Sequence, residues 1–502
     1  MAHPPHVPQR RDRPPIIAAL AVSMLAAACS TDPGPGLAEV APGLDARLAV
    51  PEGAVDAAAA SPWDRASGAW DGESPLGADA AIRCALAENR LLRRTLAEAD
   101  RRRAILGDAQ LAPNPTLNLA VGAPLGMGVV PVLAMLAGQV DWLWKRDAIV
   151  GDADAQLRGL LLESAAMVVA TVAEVRAAYL EAASATEQAG YARRDAEVAA
   201  RVLAAEESAL AAGEAGRTAV NRARMNAAEA SNRVMEAEVA TTAAKTRLLE
   251  AIGRGDHHLR WRLAAGDIRQ AIAECPLPPV PAADDEEALR ALVRERRLDI
   301  RAAEARVAGA QARAALASTG RIPTLMLGAG YERDMENDDA AMVMLESQLP
   351  VFNDGRFRVA AARADAEVAR IDADRVWQRA MIDARRAITD VAAAEHHAAT
   401  LRMRTLESFA ASRRLLASAV DAGERPAVDL WRSEHQENHY LLQLARAERD
   451  RALAAVSFER ALAGGRLPSM PGGSGAGGMG MGSPVPAGGM TDFGFTSLET
   501  ME

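Results

Sequence analysis

A chain of 502 residues that is 50% hydrophobic but only 3% aromatic is long enough for several domains, yet poor in the large side chains that fill an ordinary core. Its net charge of −10 excludes a phosphate-neutralising face, so nucleic acid is not a partner. Cys29, Cys84 and Cys275 are far apart with no paired spacing, which excludes a zinc knuckle and a disulfide framework. No Ser/His/Asp set, glycine-rich phosphate loop or acidic pair stands in a catalytic context, so the sequence reads as a non-enzyme without a cofactor.

Residues 1–28 read as a secretory signal: Arg10, Arg11 and Arg13 precede an apolar run over 16–28 that is too short to span a bilayer as a helix. The run ends Leu25-Ala26-Ala27-Ala28-Cys29-Ser30, which resembles a bacterial lipobox and implies acylation of Cys29. It departs from the usual pattern in having Ala26 three places before the cysteine and Leu25 one further back; ordinary cleavage near this site is the alternative. Residues 29–79, rich in Pro, Gly, Ala and Asp, read as a mostly extended lipid-anchored tether that Trp63 and Trp70 pack against the body.

From residue 80 the chain divides into two internal repeats, 80–254 and 286–464, joined by a linker over 255–285 and followed by a tail over 465–502. Pro115-Thr116-Leu117 matches Pro323-Thr324-Leu325, Gln139 matches Gln348, and Gly213-Glu214 matches Gly423-Glu424, all about 208 to 210 residues apart. Each unit reads helix, strand, strand, long helix, shorter helix. The long helices, over 147–212 and 357–422, are Ala-, Glu-, Arg- and Leu-rich without a proline, and each is roughly 100 Å long at ~1.5 Å per residue. Small residues such as Ala165, Ala166, Val169, Ala173 and Ala177 suit close helix approach, with Arg176, Glu181 and Arg194 left wet.

Strands are expected over about 115–142 and 323–351 from period-two alternation. Leu117, Leu119, Val121 and Ala123 share one face against Thr116, Asn118, Ala120 and Gly122, and Leu136, Gly138, Val140 and Trp142 oppose Ala137, Gln139 and Asp141. The second unit repeats this with Leu325, Leu327, Ala329 and Tyr331, then Val343, Leu345, Ser347, Leu349 and Val351 against Met344, Glu346 and Gln348. Each run has about the 9 to 11 residues that a tilted strand needs to cross a bilayer. Four strands cannot close a barrel, since membrane barrels begin at about eight, and open edges are not tolerated in lipid. Several chains must pool their hairpins; three would supply twelve strands.

This layout resembles the TolC-type outer-membrane efflux family, on Asn114-Pro115-Thr116-Leu117, Arg297-Leu298-Asp299-Ile300-Arg301 and Leu349-Pro350-Val351-Phe352-Asn353-Asp354-Gly355-Arg356. The resemblance implies a mainly α fold with a membrane β-barrel: a homotrimer whose twelve-stranded barrel in the outer membrane continues into a barrel of long antiparallel coiled-coil helices across the periplasm. It further implies a periplasmic adaptor and an inner-membrane pump of the RND type as partners, with outer-membrane lipid around the barrel. Tyr331-Glu332-Arg333 and the LPVF stretch look most like the heavy-metal, CusC/CzcC-like branch; drug or solvent export is the alternative cargo.

The tips after the long helices, Gly213, Glu214, Gly216, Arg217 and Thr218 in the first unit and Gly423 and Glu424 in the second, break helical patterning as a tight turn requires. The resemblance makes them the adaptor-docking, tunnel-narrowing ends. It places Asp429 at a constricting acid and Arg425 at a gating arginine, while Asn221 replaces an acid and Arg432 occupies a second acidic position. Three aspartates around an axis would repel one another and attract cations. His435 and His439, four apart on a helix, are candidate metal ligands, weighed against an ordinary solvated pair. In the linker, Pro276, Pro278, Pro279 and Pro281 suggest a belt around the helices, with Trp261 packing it. The tail carries Met470, Met479, Met481 and Met490, soft ligands in a low-complexity segment. A lipid-anchored periplasmic coiled-coil scaffold without a pore shares the signal and the Ala-rich helices, but does not account for the two hairpins.

Overall fold

The computed structural model describes residues 32–48, 70–122, 132–275, 285–320, 324–333, 339–347 and 350–464. The signal segment, Cys29, Trp63, most of both hairpin links, the four linker prolines, Gln348, Leu349 and the Met-rich tail lie outside the described residues.

The long helices dominate. In chain order come α1 (Leu37–Val40), α2 (Leu44–Leu48), α3 (Ala78–Glu88), α4 (Arg90–Gln110), β1 (Thr116–Val121), β2 (Val132–Gln139), α5 (Trp142–Ala211) and α6 (Arg217–Ala251). These are followed by α7 (Ile268–Glu274), α8 (Glu286–Arg296), α9 (Leu298–Thr319), β3 (Leu325–Arg333), β4 (Asp339–Ser347), α10 (Arg356–Asp421) and α11 (Ala427–Ala463). The order α4, β1, β2, α5, α6 recurs as α9, β3, β4, α10, α11.

The 70-residue α5 is roughly 105 Å long at ~1.5 Å per residue. It starts at Trp142, five residues before the start expected from sequence, because Trp-Leu-Trp-Lys-Arg contains no breaker, and the first turn is fastened by Lys145 donating to the Asp141 carboxylate at 2.5 Å. Val140 and Trp142 therefore belong to the turn and the helix, not to the strand; Val140 only donates one further bond, to the Leu325 carbonyl at 2.9 Å. From Leu157 to Ser184 α5 is buried along most of its surface, with Ala165, Val168, Val169, Val172 and Tyr179 all at 2% exposure or less, while Arg158 and Glu174 stay exposed. This collar is where α1, α2, α3, α4, α6, α7, α9 and α11 meet it. A second apolar cluster joins α8, α10 and α11 through Val293, Ala384, Ile388, Phe458 and Leu462.

Two expectations fail here. Arg176 is not wet: its side chain is 1% exposed, bonded to Glu459 at 2.9 Å and donating to the Leu48 carbonyl at 2.5 Å. Nor is 32–48 extended, because Leu37, Val40, Leu44 and Leu48 form an apolar stripe at helical spacing that enters the collar. Trp70 behaves as expected, stacked edge-on against the buried Trp261 at 5.5 Å.

The family-like motifs have local causes. Asn353 and Asp354 accept from the Gly355 and Arg356 amides at 3.0 and 3.1 Å, and Gly355 takes φ +75°, so the turn into α10 is set by Asx bonds and a left-handed glycine. Arg297 pairs with Asp299 at 2.6 Å and donates to the Ala461 carbonyl at 2.5 Å, clamping the start of α9 onto the end of α11.

The strands form one antiparallel sheet in the order β1-β2-β3-β4, with β2 pairing β3 so that the two hairpins are continuous within one chain. β1 and β4 are open edges. Leu117, Leu119, Leu136, Leu327, Val343 and Leu345 lie on one face and are 50 to 79% exposed. Among the described residues no helix is long and apolar enough to cross a membrane.

Candidate functional site

Both tips are Schellman turns of one geometry. Gly213 and Glu214 donate to the carbonyls of Leu210 and Ala209 at 3.0 and 2.9 Å; Gly423 and Glu424 donate to Val420 and Ala419 at 3.0 and 2.9 Å. Gly213 and Gly423 hold φ of +79° and +74°, which lets each long helix stop and reverse. Gly216 and Pro426 then cap the returning helices, with Arg217 and Thr218 opening α6. Glu214, Arg217, Thr218 and Glu424 are exposed.

At the start of α11, Asp429 is bracketed by Arg425 of the tip turn at 3.3 Å and Arg432 of its own helix at 3.4 Å. Arg432 also reaches across to Glu206 on α5 at 3.0 Å, an acid that is 13% exposed. Asp429 and Arg425 therefore lie together, but Arg432, the arginine at the atypical position, is the one that crosses between hairpins. Asn221 is exposed on α6, and no contact of its side chain joins this group among the described residues.

A ladder of charge continues up the same seam. Glu434 pairs with Arg201 at 3.1 Å and faces Arg413 at 3.8 Å, and Arg413 binds Glu437 at 2.8 Å, tying α11 to both α5 and α10. Above it His435 Nδ1 meets Asp195 Oδ1 at 2.5 Å, and Arg233 of α6 takes the other carboxylate oxygen at 3.2 Å. The hydrogen bond to Asp195 raises the His435 pKa, against an opposing effect of burial. The two candidate histidines are thus not joined: His439 Nε2 sits 3.0 Å from the Gln443 amide nitrogen. No group of three or more His, Cys, Asp or Glu placed to hold a metal occurs among the described residues.

Sequence reasoning had no access to Glu206, Arg201, Asp195 or Arg413, since their partners lie on other helices, in most cases more than 200 residues away in the chain. His435 and Asp195 also line a cleft of about 1670 Å³ between α5, α6 and α11, to which Tyr191, Arg233 and Tyr440 contribute.

Residues 289–464 match the model of the outer membrane efflux protein family. No curated protein matches the chain. Among solved structures, the transmembrane channel CusC is 16% identical, with 78% of this chain and 92% of that chain covered at a TM-score of 0.62. The outer-membrane channel OprN is 21% identical over 82% and 96%, with a TM-score of 0.61. The outer membrane protein VceC of Vibrio cholerae is 18% identical over 77% and 96%, with a TM-score of 0.59.

Proposed function

We propose that this chain, a TolC-type outer membrane efflux protein, forms as a trimer the passive outer-membrane duct of a tripartite efflux system. The observation that carries this reading is the four-stranded sheet: two open edges and an apolar face of exposed Leu and Val have no use in water, and both are resolved when three copies close a twelve-stranded barrel in lipid. A scaffold without a pore would leave that face uncovered. Apolar side chains exposed on α6 (Met225, Met235, Val239) and α10 (Val368, Ile371, Ile382) supply the seams between neighbouring copies.

In this reading the tips face a periplasmic adaptor and an RND-type pump, and Cys29 carries the lipid anchor. The repeated order of elements and the matching Schellman turns support a duplicated unit. The bonds from Arg432 to Glu206 and from His435 to Asp195 hold α11 against α5 and act as the resting latch, with Asp429 setting cation preference at the mouth. Metal cations are the favoured cargo, on the Tyr331-Glu332-Arg333 and LPVF stretches; drugs are the second.

Single-channel recording in planar bilayers tests the duct and its latch. The wild type is expected to show rare, small, cation-preferring openings, Arg432→Ala with Glu206→Ala longer and larger ones, and Asp429→Ala a raised leak with weaker cation preference. Unchanged conductance and selectivity in these variants would remove the gate assignment, and a silent wild type would remove the duct.

A further inference from the structure

The enclosed face of the sheet carries four thioethers that no packing requirement explains. Register places Met344 opposite Gly328, Met342 opposite Gly330, and Met135 opposite Gly330 from the other side, all on one face. Met326 shares that face, two residues before Gly328 and opposite Glu346. All four methionines are half-buried and Ala137 and Gly328 are buried, whereas Leu327, Val343 and Leu345 on the other face are 50 to 79% exposed. The methionine face is therefore the inner one.

Gly328 and Gly330 make a trough between them. A Cβ at Gly328 would lie 3.4 Å from Met344 Cε and 3.2 Å from Ala137 Cβ, and one at Gly330 would lie 3.3 Å from Met135 Cβ. Met344 thus lies over one glycine and Met135 beside the other, with Met342 and Met326 completing the rim. Side chains directly opposite in a sheet are ~5 Å apart and diagonal ones ~7 Å. A methionine with three rotatable bonds spans such distances, so several sulfurs can converge over the glycines. The strands' principal contacts are with one another, so these side chains fill no core. Thioethers are uncharged soft donors that favour monovalent soft cations over hard ones. Glu332 and Glu346, at the two ends of the trough on the same face, supply countercharge without displacing sulfur.

We propose that this trough is a binding site for a soft monovalent cation, Cu(I) or Ag(I), on the inner wall of each copy's sheet. It deepens the duct reading by naming a cargo class, and its test separates the two. Full-length detergent-purified protein is titrated with silver nitrate in chloride-free buffer, and bound silver is counted after desalting, for wild type and for the volume-conserving variant M135L/M326L/M342L/M344L. The variant is expected to bind about one silver ion per chain less, with loss of the matching sulfur shell in silver X-ray absorption. M342L/M344L alone is expected to bind about tenfold more weakly. Equal silver uptake by wild type and both variants would overturn the site, the metal then residing on the tail methionines or elsewhere; so would a wild type that takes none. Potassium conductance of the fourfold variant is expected to match wild type, so that a silent wild type would count against the duct while the silver difference still decides the site.

Discussion

At the scale of single residues, the collar is held by polar groups that an apolar stripe would not have suggested. Arg176 lies on the buried side of α5, where an unpaired guanidinium is costly, and it is tolerated because Glu459 and the Leu48 carbonyl meet it. Glu459→Gln is expected to lower stability by about 3 kcal/mol by stranding that charge, and Arg176→Met combined with Glu459→Leu to recover most of the loss, measured as thermal unfolding at 222 nm in detergent. A double variant no better than the single would contradict the pairing. His435 makes the seam pH-dependent. Its pKa is raised above the unfolded value near 6.5 by Asp195, so its contribution is fully present below that value and fades as pH rises through the folded pKa. Thermal stability of the wild type is expected to fall from pH 6 toward pH 9 by more than that of His435→Gln; parallel profiles would show that the bond contributes nothing. His435 was visible in sequence as one of a pair with His439, but its partner Asp195 was not, because 240 residues separate them.

At the scale of elements, composition and periodicity carried the long helices, the tips and the strand faces, while helix ends and cross-helix bonds needed the structure. Gly213 and Gly423 were legible as stops because a left-handed residue closes a Schellman turn, and both turns have that form. The start of α5 was misplaced because the strand's alternation runs on into Val140 and Trp142, and only the final ladder bond at Val140 ends it. The packed segment 32–48 was hidden because its four apolar residues are diluted by proline and glycine. Gly213→Ala and Gly423→Ala meet nothing within 4 Å, so each is expected to cost only the backbone term, about 1 kcal/mol. Gly253→Ala, at φ +85° with the Glu88 carbonyl 2.9 Å from the new Cβ, is expected to cost clearly more. Equal melting temperatures for all three would show that the collar yields at Gly253.

At the scale of the whole molecule, the edges decide. Adjacency of β2 and β3 within one chain leaves β1 and β4 as open edges, which the proposed trimer would pair between copies, and α10 and α6 as helices with exposed apolar sides. The expectation of several copies rests on strand count alone; the pairing of the two hairpins with each other was not legible, since nothing in their sequences fixes register. The most direct measurement is disulfide trapping in intact outer membranes, with Leu119→Cys on β1 combined in turn with Ala341→Cys, Val343→Cys and Leu345→Cys on β4. At least one pair is expected to give covalent dimers and trimers on a non-reducing gel that collapse to monomer on reduction. Monomer from every pair, in a protein that stays dissolved without detergent, would contradict the shared barrel and with it the duct.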